Sequence, residues 1–206
     1  MQRTELEPGV FVTLVKAFVP EPEASDVLGR LNGEVTWEQG SVRFFGKLVP
    51  EPRLSAWFGD RDYTYSGRTV KRAPFTPTIA SLAERVRAIA EVEFNAVLVN
   101  RYRDGRDSMG FHSDDEPELG VEPVIASLSF GVPRRFVLEK KKGGAEARAS
   151  SRFEVELCHG DLLVMGGRCQ ELYRHGVPKQ IRVRGERVNL TFRRIVDVAS
   201  TSSLPG

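Results

Sequence analysis

His112-Ser113-Asp114 sets an imidazole and a carboxylate two residues apart, and a further imidazole, His175, lies far downstream. Two neutral imidazoles and one ionised carboxylate can occupy one face of an octahedral metal, leaving the opposite positions to a cosubstrate and oxygen. That 2-His-1-carboxylate donor set points to non-haem Fe(II). On a strand, residues i and i+2 share a face, so His112 and Asp114 would point into one interior while Ser113 faces away. The third ligand must then come from a distant strand. The chain has three histidines, His112, His159 and His175, so His159 competes with His175 for that place. His159 sits in the tight-turn sequence Cys158-His159-Gly160-Asp161. A histidine there usually caps neighbouring backbone; a three-histidine, cupin-like site would instead use it as a ligand.

The second chemical signal is Arg187-Val188-Asn189-Leu190-Thr191-Phe192-Arg193. It alternates strictly, so Arg187, Asn189, Thr191 and Arg193 share one face of a strand and Val188, Leu190 and Phe192 the other. The two arginines stand about 20 Å apart on an extended strand and cannot grip one carboxylate together. A buried arginine is costly unless paired, which makes a dicarboxylate a natural partner. The alternative is an edge strand with exposed arginines.

These residues need a rigid frame. Residues 9–17 read as an extended segment. A helix follows, with Pro20 and Pro22 near its start, Val27, Leu28 and Leu31 as its apolar stripe, and Asn32-Gly33 at its end. Short β-like pieces are expected at residues 35–39, 41–47 and 63–65, interrupted by Pro50-Glu51-Pro52. Ile79, Leu82, Val86 and Ile89 recur at helical spacing and predict a helix over residues 78–92, capped by Thr76 or Thr78. Eight strands are predicted beyond Glu93: residues 94–102, 110–114, 125–131, 135–139, 152–157, 161–165, 173–177 and 187–193. Short strands punctuated by Gly, Pro and Asp predict a mainly β sandwich or jelly roll with the helices braced on one face. Gly143-Gly144-Ala145 reads as a loop tip, and residues 199–206 as a frayed tail.

With 206 residues, 40% of them hydrophobic and 28% charged, the chain suits one domain with a real core, or one domain with an appended lid, and its composition is ordinary for a soluble globular protein. The longest apolar runs, residues 94–99 and 162–165, are too short to span a bilayer. The start, Met1-Gln2-Arg3-Thr4-Glu5-Leu6-Glu7, lacks a signal-like apolar run. Cys158 and Cys169 form no zinc-type CxxC, which suits a reducing compartment. An intracellular protein is therefore expected. A net charge of +2 says little about nucleic acid, but its distribution says more. Arg134, Arg135, Lys140, Lys141 and Lys142 cluster, as do Lys179, Arg182, Arg184, Arg187, Arg193 and Arg194. Such runs form either solvated, salt-bridged faces or a phosphate-tracking surface.

Taken together, the motifs resemble the AlkB family of Fe(II)/2-oxoglutarate dioxygenases, most closely its duplex-DNA-repair subfamily. The matching pieces are Asn100-Arg101-Tyr102 with Asp104-Gly105, Gly110-Phe111-His112-Ser113-Asp114-Asp115-Glu116, Ile125-Ala126-Ser127-Leu128-Ser129-Phe130-Gly131, His159-Gly160-Asp161-Leu162-Leu163-Val164-Met165, His175, and the strand from Arg187 to Arg193. The resemblance covers roughly residues 35–196 and carries little of the first 30. It implies a double-stranded β-helix (jelly roll) core over about residues 94–196, with a nucleotide-recognition lid over about residues 35–75, in one dioxygenase domain spanning residues 1–206. It implies Fe(II) held by His112, Asp114 and His175, which favours His175 over His159. The cosubstrate would be 2-oxoglutarate, its distal carboxylate on Arg187 and Tyr102, its metal-chelating end on Arg193 and Asn100, with Asn189 in support.

The resemblance also implies oxidative demethylation of N-alkylated bases in DNA, of the 1-methyladenine and 3-methylcytosine type, with O2 consumed and formaldehyde, succinate and carbon dioxide released. Tyr65 would stack on the flipped base opposite His112, Glu116 would meet the base edge, and Tyr63 would be a polar neighbour. Phe45 would fill the gap left by the everted base, and Arg53 would contact the base or backbone near it. A monomer is expected. Three other functions compete: demethylation of RNA or single-stranded DNA, oxidation of a protein or small metabolite, and a non-catalytic β-helix binding module.

Overall fold

The alternating segment near the end of the chain forms the strand Arg187–Arg193, and it lies inside a sheet, not at its edge. The computed structural model describes residues 1–44, 46–60, 63–65, 68–70, 72–141 and 152–196. In it this strand pairs antiparallel with Ile125–Gly131 on one side and Ala96–Tyr102 on the other. The full sheet has seven strands in the order Gln2–Glu7, Val10–Val15, Leu162–Gly167, Ile125–Gly131, Arg187–Arg193, Ala96–Tyr102 and Leu54–Gly59. A second sheet of four strands runs Arg152–Leu157, Arg134–Lys140, Tyr173–Val177 and Met109–His112. The chain passes back and forth between the two sheets, which close over one interior as a jelly roll.

Two apolar layers hold this arrangement. Between the sheets, Tyr102, Ile125, Leu163 and Met165 pack against Phe136, Leu138, Tyr173 and Val177. On the outer face of the larger sheet, Val99, Leu128, Leu190 and Phe192 meet Val27, Leu31, Ile79, Leu82 and Val86. Those last five lie on the helices Glu23–Glu34 and Pro77–Ala90, at the spacing that puts them on one stripe. The second helix starts where expected, with the Thr76 side chain accepting from the Ile79 amide at 3.3 Å. Because helices cover one face and the second sheet the other, every residue of Arg187–Arg193 is buried. The edge-strand alternative for its arginines is thereby excluded.

All eight strands expected beyond residue 93 are present within a few residues of their predicted bounds. Two strands of the larger sheet were not anticipated. Leu54–Gly59 reads Leu-Ser-Ala-Trp-Phe-Gly, with neither β-branched residues nor alternation, and is a strand because it pairs with Ala96–Tyr102. Gln2–Glu7 is polar because it is an outer strand with little to bury. The jelly-roll sheet thus draws on strands outside residues 94–196, one of them from within residues 35–75. Residues 35–39 form no strand; only Glu38 bridges to Ser55. The 41–47 piece is a hairpin, Ser41–Phe44 with Lys47–Pro50, and Tyr63–Tyr65 pairs with Arg68–Val70. The expectations for Phe45, the rings of Tyr63 and Tyr65, Lys142, the 143–145 loop tip and the 199–206 tail lie outside the described residues. No described helix is long and apolar enough to cross a membrane.

Candidate metal and diacid site

Met109–His112 and Tyr173–Val177 are neighbours in the smaller sheet, with His112 directly opposite His175. The register alone brings the two imidazoles together, their ring centroids 4.4 Å apart. Asp114 lies just beyond the end of the first strand, so the expected i, i+2 strand geometry holds only at His112. The Asp114 amide donates to Gln170 Oε1 at 3.0 Å, and Ser113 Oγ donates to the Tyr173 carbonyl at 2.9 Å. These two bonds fix the segment past the strand end. Asp114 Oδ1 then lies 3.8 Å from His112 Nε2, and Oδ2 lies 4.0 Å from His175 Nε2. One ligand atom from each of the three residues falls within 4.8 Å of the others.

The donor set fits a divalent metal. His112 Nδ1 lies 3.0 Å from the Gly110 carbonyl, which selects the Nδ1–H tautomer and leaves the Nε2 lone pair facing Asp114. Burial, reinforced by the nearby Arg193 guanidinium and only partly offset by Asp114, pushes His175 down to about 3, so its imidazole is neutral at pH 7. Burial pushes the Asp114 carboxyl up, but Arg193, His175 and His112 outweigh it and hold the group well below the usual carboxylate range. Asp114 Oδ2 is buried and has no hydrogen-bond partner among the described residues. A buried, ionised oxygen left unpaired is expensive, and a cation held by these three residues would satisfy it.

Gln170, in the short helix Cys169–Leu172, went unnoticed in the sequence, because a lone glutamine there carries no signal. Its amide is oriented by the Met165 sulfur at 3.6 Å. Gln170→Leu is expected to weaken Fe(II) binding about tenfold, the lower end for outer partners of a metal site. Titration of the apo-protein with iron measures this directly, and unchanged affinity would remove Gln170 from the site.

The interior face of Arg187–Arg193 supplies the rest. Arg193 Nη2 donates to Asp114 Oδ1 at 2.8 Å, with both side chains 3% exposed. Asn189 Nδ2 donates to Ser127 Oγ and to the Leu128 carbonyl, each at 2.9 Å, and its Oδ1 accepts from Thr191. Arg187, 1% exposed, donates through Nη2 to Ser129 Oγ at 2.9 Å and packs on the Tyr102 ring, 5.1 Å from its centroid. Its Nε and Nη1 have no hydrogen-bond partner among the described residues, and burial pushes its pKa down. A small pocket lined by Tyr102, His112, His175, Asn189 and Arg193 connects this face to the histidines. Ser127 and Ser129 were legible in principle: they are polar alternates in an otherwise apolar strand, opposite Thr191 and Asn189 in register. Gly131 lies opposite Arg187 at φ +89, and a Cβ there would come 2.3 Å from the Glu186 carbonyl.

Other predicted residues fall in different places. Asn100 is fully buried, and its Oδ1 accepts from Arg53 Nε at 2.9 Å. Arg53 is itself buried and pairs with Glu51 at 2.8 Å, so it is fixed within the wall and does not project outward. A cleft of about 350 Å3 opens beside His112 and Asp114. Its walls include Val42, Leu98, Met109 and Phe111, with Glu51, Arg53, His112 and Glu116 as polar members. Glu116 Oε2 is buried there without a partner among the described residues.

His159 takes the capping role. Its Nδ1 accepts from the Gly131 amide at 2.7 Å, and its Nε2 lies 3.1 Å from Glu21. Among the described residues, His112, Asp114 and His175 are the group placed to hold a metal.

The basic run at residues 134–142 is largely occupied within the fold. Arg134 is 1% exposed and donates to the carbonyls of Asp104, Asp107 and Pro178. Arg135 pairs with Glu154, Lys140 with Glu7, and Lys141 with Asp115. Lys179, Arg182 and Arg184 are exposed on the loop leading into Arg187–Arg193. The first run is thus largely occupied within the fold, and the second keeps exposed cations at these three residues. Both cysteines are free, and burial pushes the Cys169 thiol up to about 12, which leaves it inert at neutral pH.

The family model described as the 2OG-Fe(II) oxygenase superfamily matches residues 11–193. The chain is 42% identical over 188 residues to the rat protein named alpha-ketoglutarate-dependent dioxygenase alkB homolog 3, covering 89% of this chain and 64% of the relative. It is 39% identical over 181 residues to the mouse protein named DNA oxidative demethylase ALKBH2, covering 84% of this chain and 76% of the relative. The chain thus spans a little under two thirds of the rat relative. A solved structure of OsALKBH1 superposes with a TM-score of 0.62 at 19% identity, over 93% of this chain and 100% of that one, which is a likeness of fold.

Proposed function

The chain belongs to the AlkB branch of the 2OG-Fe(II) oxygenase superfamily, and on that premise we propose that it is an Fe(II)- and 2-oxoglutarate-dependent dioxygenase that demethylates N-alkylated bases in DNA. The observation that carries the reading is the single buried face that joins the His112, Asp114 and His175 cluster to an arginine, Arg187, with two unsatisfied nitrogens. A dicarboxylate cosubstrate supplies what both ends lack.

In this mechanism His112, Asp114 and His175 hold Fe(II). Arg187, resting on Tyr102, takes the distal carboxylate of 2-oxoglutarate, and Arg193 and Asn100 steady the other end with support from Asn189. When bound, Fe(II) with 2-oxoglutarate supplies O2-driven oxidation of a C–H bond, coupled to release of succinate and carbon dioxide. The sheets and the Phe136 ring stacked on His175 keep water from the buried side of the site. The cleft above would admit the base against His112, with Tyr65, whose ring lies outside the described residues, as the expected stacking partner. Hydroxylation of the N-methyl group gives a hydroxymethyl base, which loses formaldehyde. A methyl on the adenine or cytosine ring nitrogen leaves that base cationic, and Glu116 presents a carboxylate to it. Exposed Lys179, Arg182 and Arg184 would follow the phosphate backbone, making binding salt-dependent.

The test is formaldehyde and succinate release from oligonucleotides carrying 1-methyladenine or 3-methylcytosine. Succinate without formaldehyde from any methylated nucleic acid would point to a protein or small-metabolite substrate. No succinate at all would point to a binding module. Phe45→Ala separates strand preferences: duplex repair is expected to fall about tenfold more than single-strand repair, since the wedge offsets an unstacking cost of a few kcal/mol. Equal losses would favour RNA or single-stranded DNA as substrate.

A further inference from the structure

We propose that Glu51 is a specificity-determining residue that lets this cleft accept a cationic base, by neutralising the guanidinium fixed in its wall. The inference rests on the demethylase reading and names a residue that reading does not use. Arg53 cannot swing away from the cleft. Its Nε is tied to the fully buried Asn100 at 2.9 Å, and its Nη2 to Glu51 at 2.8 Å. The backbone pins both residues as well: the Glu51 amide donates to Gly40 at 2.8 Å, and the Arg53 amide to Glu51 at 2.8 Å. Arg53 nevertheless lines the same cleft as His112 and Glu116.

A positive charge held in a largely desolvated wall repels a cationic ligand strongly. Glu51, 2% exposed and lining the cleft, balances it. Asp114 and Arg193 balance each other in the same way. Among the described lining residues Glu116 then remains as the charge without a counter-ion, and their sum is net negative. Removing the Glu51 charge makes the wall neutral overall and leaves Arg53 bare. Removing the Arg53 charge makes it more negative. The two substitutions must therefore shift charge selectivity in opposite directions. A purely structural role would lower activity on all bases alike.

The experiment compares kcat/KM on single-stranded oligonucleotides carrying cationic 1-methyladenine or uncharged 3-methylthymine. The readout is the ratio of the two constants. In Glu51→Gln the ratio is expected to fall about tenfold or more. In Arg53→Gln it is expected to rise, whatever happens to the overall rate. If Glu51→Gln does not fold, the Arg53→Gln ratio decides alone. A ratio that stays at the wild-type value in Glu51→Gln, or that fails to rise in Arg53→Gln, overturns the assignment. Formaldehyde from neither oligonucleotide with the wild-type protein would overturn the demethylase reading itself, and this assignment with it.

Discussion

Replacing Asp114 by alanine is expected to abolish Fe(II) binding and to reduce succinate formation by far more than the 10- to 100-fold typical of outer partners of a metal site. It removes the one carboxylate of the three donors and an oxygen that no described residue satisfies. The same change removes the carboxylate that Arg193, 2% exposed, pairs with at 2.8 Å. Breaking a buried pair from one side costs about 3 kcal/mol or more, so the metal-free variant should also melt at lower temperature or lower denaturant. Iron titration and chemical denaturation measure the two effects separately. Wild-type iron affinity in Asp114→Ala would dismiss the metal site outright.

Arg187→Met is expected to behave in the opposite way towards stability. Here the wild-type residue is a buried cation with two nitrogens unpaired, and burial already depresses its pKa. Replacing such a group by an apolar side chain of similar length is often neutral or stabilising. The variant should therefore melt no lower than wild type in the absence of cosubstrate. Its 2-oxoglutarate affinity should fall about 100-fold or more, the loss expected when one side of a buried charged contact is removed. A melting series with and without 2-oxoglutarate reads both, since a ligand that binds only the folded state raises its stability. If 2-oxoglutarate shifts the variant's melting temperature as far as it shifts that of wild type, Arg187 does not hold the diacid.

These two arginines also show where sequence periodicity stops. Alternation placed Arg187 and Arg193 on one face, and that much followed from the period of a strand. The two serve different neighbours, Ser129 and Tyr102 for one and Asp114 for the other. Burial on both faces came from strands and helices supplied by distant parts of the chain. The same limit applies to the basic runs. Arg134 and Lys179 look alike in sequence, yet Arg134 closes a set of backbone carbonyls inside the fold while Lys179 is exposed. Leu54–Gly59 escaped notice because its strand character comes from pairing with Ala96–Tyr102, not from its own residues.

By itself the sequence determined the eight strands after residue 93, the helix at Pro77–Ala90 and the donor types of the site, because side-chain period and chemistry are local properties. Tertiary structure decided three further things. It set His175 opposite His112 through strand register, it turned His159 into a cap for Gly131, and it drew Glu51 and Arg53 into the wall of the cleft. Each of these depends on which surfaces meet across the sandwich, and that is set by burial and hydrogen bonding between segments far apart in the chain.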